Sequence, residues 1–169
     1  MTNNLTSIKY GLAFVMLGLL FGIGLGVAFG VNEDRFEAYV AQGIAANPSV
    51  HDSKSQEKIG RYVQRAHFHA TGIAAFSLGL LLVVVASSLT ERLKKIAAVC
   101  IGLGGFYPLA WLAMFFLAPS IGRAAAHAHP ITELCAYIGV GGLLLGVMIL
   151  LANLFLGLFS EPAERRTAT

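Results

Sequence analysis

The chain has 169 residues, of which 56% are hydrophobic and 12% charged, with a formal net charge of +3 and a mean hydropathy of +0.71. A water-soluble domain carries about 25% charged residues, so this composition excludes a soluble globular protein. The positive charge is too small and too dispersed to bind nucleic acid, and Cys100 and Cys135, each inside an apolar run, read as small core residues rather than a disulfide or a metal pair.

Four apolar runs follow one another: Ile8 to Val31, Arg65 to Leu89, Ile96 to Ala118 and Ile131 to Phe159. Each reaches the roughly 20 residues that a helix needs to cross a bilayer. A barrel would show short alternating segments instead. The predicted fold is therefore all-α: a four-helix integral membrane bundle, one domain over residues 1–169, in contact with the lipid bilayer. The first run is longer than the h-region of a signal peptide, about 7–15 residues, and has no clear small-x-small cleavage site, so it counts as a span.

In that first span Gly18, Gly22, Gly26 and Gly30 recur every four residues on one helix face. Such a ridge admits a neighbouring helix closely, either within the protomer or between protomers. Gly142 and Gly146 repeat the device in the fourth span. Between spans 1 and 2, Phe36, Tyr39, Val40, Gly43 and Ile44 fall at helical spacing and predict a short amphipathic helix in the membrane interface. Asn47-Pro48-Ser49 ends it, and Ser55 to Arg65 predicts a polar helix running on into the second span. Pro108 predicts a kink or a freed carbonyl in the third span. Ser160 to Thr169 reads as a frayed tail.

With four spans, the N-terminus, the Thr90–Lys95 loop and the C-terminus share one side. Lys and Arg divide equally between the two sides, but Lys9, Arg92, Lys94, Lys95, Arg165 and Arg166 crowd short flanks there. The others spread over a long loop. The dense side is read as cytoplasmic, in a bacterial inner membrane.

The five histidines, His51, His67, His69, His127 and His129, then all fall on the opposite side. Four form His-x-His pairs at span ends. On a helix, His67 and His69 point about 200° apart, so they cannot grip one metal from the same turn. His129 precedes Pro130, which favours an extended backbone. In an extended segment, His127 and His129 would project to one side and chelate one ion; with His67 or His69, and Glu133 nearby, they would form a copper or zinc set. Arg65 stands two residues before His67 and four before His69, where a guanidinium suits a haem propionate. The bland alternative is a snorkelling arginine and interfacial histidines.

Leu19-Leu20-Phe21-Gly22-Ile23-Gly24-Leu25, then Arg65-Ala66-His67 opening the second span, then the Lys94-Lys95 loop, resemble the bacterial styrene oxide isomerases over the first half of the chain. The resemblance implies a haem b with His67 as axial ligand, held between protomers of a trimer. It also implies a ferric iron acting as Lewis acid on an epoxide, followed by a hydride shift to an aldehyde. Ile73 stands where the family has an asparagine, and Tyr107, in a similar Gly-Phe-Tyr context, lies closer to His67 than the family's tyrosine does. The haem scaffold is thus expected where the isomerase chemistry need not be.

Three functions follow. The first is a haem b-binding membrane protein, with His67, Arg65 and His69 as cofactor residues, serving as an isomerase-like enzyme or as a haem subunit of a redox assembly. The second is a copper- or zinc-binding membrane protein that uses His127 and His129 with one of His67, His69 or His51, His67 foremost. The third is an accessory subunit of a larger membrane complex. Homo-oligomerisation, as a trimer if family-like, accompanies the first. No nucleotide loop, Ser/His/Asp arrangement or zinc-protease motif is present, and no catalytic residue is marked.

Overall fold

The computed structural model describes residues 2–161. They form an all-helical bundle in the order α1 (Thr2–Val31), α2 (Glu33–Ala46), a 3-10 turn (Pro48–Val50), α3 (Ser55–Ala86), α4 (Glu91–Gly102), a second 3-10 turn (Leu103–Phe106), α5 (Tyr107–Ile121), α6 (Arg123–His127) and α7 (Pro130–Leu156). Four stretches are long and apolar enough to cross a membrane: Leu5–Val31, Ser55–Ala86, Glu91–Ile121 and Pro130–Leu156. Large apolar side chains on the outside, among them Leu17, Leu20 and Val27 of α1 and Leu144, Met148 and Phe155 of α7, are what a lipid-facing surface requires.

The third span is central. Its first half, α4, packs against α1 and α7, and its second half, α5, packs against α3 and α7. Pro108 lies in the first turn of α5, just after the 3-10 turn. There its missing N–H costs least, so the expected kink takes the form of a short 3-10 link. In α3 the buried positions Ile59, Val63, Ala66, Ala70, Ala74, Ser77, Leu81 and Val84 recur every three or four residues. The middle of this stripe is made of alanine and serine, which lets helices approach closely.

The glycine ridge of α1 is used within the protomer. A Cβ on Gly22 would meet Ala70 and Thr71 of α3 at 2.9 Å, and one on Gly26 would lie 2.5 Å from the His67 ring. Gly18 and Gly30 are not crowded in this way. Gly146 of α7 packs in the same manner on α4, and Gly142 on Leu103 of the 3-10 turn that follows α4.

The end of the bundle that carries α2 has its own core. The amphipathic segment forms α2, and its apolar face seats on α5. Val40 is buried, the Phe36 and Tyr39 rings lie 5.6 and 5.5 Å from Phe115, and the Tyr39 hydroxyl donates to the Phe116 carbonyl at 2.8 Å. Asn32 joins α1 to α2, its amide donating to the Ala28 carbonyl at 3.0 Å and so satisfying a last-turn acceptor. Asn47 and Pro48 end α2 as expected.

Asp52 organises the entry to α3. Its Oδ1 accepts from the Ser55 hydroxyl and the Lys54 N–H, each at 3.0 Å, and its Oδ2 accepts from Arg123 of α6 at 2.6 Å. The Ser55 hydroxyl is the main reason that the Asp52 carboxyl is held below its ordinary 3.8. Burial opposes this effect, and the Lys54 N–H and the Arg123 and Lys58 charges add to it.

At the opposite end α7 stops at Leu156, short of the expected Phe159, because Gly157 takes the left-handed conformation (φ 66°) that terminates helices. The chain turns back, and Ser160 is clasped rather than frayed. Its hydroxyl lies 2.9 Å from that of Ser88 and accepts from the buried Asn153 amide at 3.1 Å, while the Glu161 N–H reaches the Ser88 carbonyl at 2.9 Å. The rest of the expected tail, residues 162–169, lies outside the described residues.

Candidate functional site

Helical phase sends the histidines of α3 to different neighbours. His67 turns towards α1. Its Nδ1 lies 2.8 Å from the Gly22 carbonyl oxygen, and the ring rests over Gly26, where any side chain would displace it. A carbonyl only accepts, so Nδ1 carries a proton, and in the neutral ring Nε2 keeps its lone pair. Metal-bound histidines are commonly held this way, one ring N–H fixed on a carbonyl or carboxylate. The ring is half-buried beside the exposed Phe68, whose centroid is 5.3 Å away.

His69 turns towards α5. Its Nδ1 lies 2.8 Å from the Arg65 carbonyl oxygen, one turn back in the same helix. Its ring stacks on Trp111 (5.7 Å, 29°) and meets Tyr107 edge-on at 5.1 Å. Arg65 belongs to this second group, with its guanidinium 4.7 Å from the centre of the Trp111 ring, a cation–π distance. Four residues separate Arg65 from His69, which puts them on one face, whereas two separate it from His67. Arg65 therefore does not stand beside the expected ligand. Trp111 is the hub, with Tyr62 5.8 Å away on its α3 side, and its Nε1 is buried without a hydrogen-bond partner.

The second pair departs from the expected chelate. Pro130 constrains only the residue before it. His129 is extended (φ −70°, ψ 135°), but His127 closes the short helix α6 and Ala128 sits near φ −81°, ψ 5°. The two rings are thus not carried on one extended strand. His129 caps α7, its Nδ1 accepting from the Ile131 N–H at 3.3 Å. In the neutral ring the proton is then on Nε2, and neither nitrogen keeps a free lone pair. His127 is exposed and lines a cavity of about 140 Å³ between α5 and α7, together with Trp111, Tyr107 and Glu133. Gly122 makes the α5–α6 turn possible with φ 80°, a conformation that few side chains tolerate.

His51 is tied to the fold by its Nε2, 3.0 Å from the Pro119 carbonyl oxygen. Among the described residues, no three His, Cys, Asp or Glu side chains lie together in a way that could hold a metal ion. Sequence reasoning did not single out Trp111. Its single occurrence in the chain, four residues after Tyr107, was the available signal.

Compared with protein-family models, with curated proteins and with solved structures, the chain finds no match.

Proposed function

We propose that this protein binds haem b in the membrane, with Nε2 of His67 as the protein ligand to the iron. The observation that carries the reading is the bond from His67 Nδ1 to the Gly22 carbonyl. It fixes the tautomer and leaves the other nitrogen available as a donor, and a carbonyl partner also raises the basicity of that nitrogen.

The donor sets of the chain favour haem over a bare ion. Structural zinc takes about four protein ligands and catalytic zinc about three, whereas a porphyrin supplies its own equatorial nitrogens and asks the protein for one or two. Isolated histidines of fixed tautomer meet the second demand. The copper or zinc alternative needs His127 and His129 to converge with a third histidine, and His129 spends its Nδ1 on the cap of α7.

When bound, the group would supply an iron centre for Lewis-acid chemistry on a small apolar oxygen-containing molecule, or for electron transfer. The chain's part is positional. Gly22 orients the imidazole, Gly26 makes room for it, and the exposed apolar surface of Ile23, Val27 and Phe68 gives a face on which a second copy of the chain closes. In this reading the protein is a homo-oligomer in a bacterial inner membrane with both termini cytoplasmic. Arg65, stacked on Trp111, contributes to the α3–α5 contact rather than to the ligand.

The test is the absorption spectrum of detergent-purified protein, oxidised and reduced, with a pyridine haemochrome assay for haem type. A Soret band with haem b in proportion to protein is expected. A colourless preparation carrying stoichiometric copper or zinc would overturn the proposal.

A further inference from the structure

The cavity between α5 and α7 is lined by Tyr107 and Trp111 but by neither His67 nor His69, and plays no part in the proposed iron site. Its volume is about 140 Å³. A cavity of about 150 Å³ lined by apolar side chains accepts benzene, so this one holds a single ring and little more. The buried Ala110 and Met114 belong to its lining and form the floor, and the exposed His127, Glu133 and Tyr137 form the mouth.

Charge bears on the ligand as well as size: Glu133 is in the lining, and Arg65, outside it, lies against Trp111. The Arg65 guanidinium already lies 4.7 Å from the Trp111 ring centre, so a cationic ligand against the same indole would meet a like charge. An anion would meet the Glu133 carboxylate. A neutral ring meets neither penalty and gains aromatic contact with Tyr107 and Trp111. Of the polar groups near the mouth, the Thr132 hydroxyl is spent on the Ala126 carbonyl at 2.8 Å. The His127 ring and the Glu133 carboxylate are left to take a hydrogen-bond donor from a ligand, and a bond to a charged acceptor is among the stronger ones.

We infer that this cavity binds a neutral single-ring aromatic molecule bearing a hydroxyl group, with the ring against Tyr107, Trp111 and Met114 and the hydroxyl at His127 and Glu133. The inference does not depend on whether His67 binds haem.

Trp111 is the only tryptophan, so protein made with 5-fluorotryptophan gives one ¹⁹F resonance that reports the cavity wall directly. Phenol and toluene are the probes, each titrated into the full chain in one detergent. Phenol is expected to shift the resonance saturably. The double variant His127→Ala/Glu133→Ala, altered at exposed positions, should bind phenol about tenfold more weakly and toluene as before. Ala136→Phe, which fills the cavity, should abolish the saturable shift for both probes. A linear drift, the same in the wild type and in Ala136→Phe, would mean partition into the micelle and would overturn the site. An equal loss of phenol and toluene in the double variant, or no loss of either, would overturn the role of the polar end. The double variant decides the question even if Ala136→Phe fails to fold.

Discussion

His67 and His69 stand two residues apart on α3, yet one rests on backbone and the other on aromatic rings. His67 meets α1 where Gly22 and Gly26 leave a carbonyl and an empty Cβ position; His69 meets α5 where Tyr107 and Trp111 fill the space. Both donate Nδ1–H to a carbonyl, so tautomer alone does not separate them. What separates them is the neighbour. Both rings are half-buried, but one lies against a glycine backbone beside Phe68 and the other is stacked on indole and edged by phenol. Two residues of helical phase thus turn one His-x-His motif into a candidate ligand and a packing residue.

The comparison can be broken from either side. Gly26→Val is expected to have the largest effect on haem content. It forces the His67 ring away and overpacks the α1–α3 contact by about 1–3 kcal/mol, so haem content and melting temperature should fall together. Gly30→Val, at a position with open space around it, should leave both unchanged. On the other face, Trp111→Ala removes the shared partner of Arg65 and His69. By analogy with other large-to-small changes it should cost about 3 kcal/mol in thermal stability while haem binding per folded protein persists. His129→Ala should cost about 1 kcal/mol as a lost cap, and His129→Ser should restore it; metal analysis of the serine variant then tells a capping histidine from a metal ligand.

The smallest effect lies outside the membrane. The lowered carboxyl of Asp52 contributes stability that is complete above its ordinary 3.8 and is lost as pH falls through its lower folded value. In acid melts, the wild type should therefore lose stability over that range more steeply than Asp52→Asn, which has no charge to lose there. Superimposable acid limbs would contradict the capping role.

The spans were legible because 20-residue apolar runs have few alternatives in a membrane, and the divergence of His67 and His69 followed from 100° per residue. The same arithmetic ties Arg65 to His69, but the attraction of a guanidinium for propionates drew it towards His67. The central role of Trp111 was not legible, since no local pattern states that α5 lies against α3 on one side and α7 on the other. Nor was the end of α6. Pro130 restricts His129 alone, and the helical turn at His127 comes from Gly122 and the packing of Ala126, which is fully buried.

The most direct measurement of the central claim is haem content per protein for three purified chains side by side: wild type, His67→Ala and His69→Ala. The account predicts a Soret band in the wild type and in His69→Ala, its loss in His67→Ala, and partial return there on adding imidazole. Retention of haem in His67→Ala with loss in His69→Ala would contradict it.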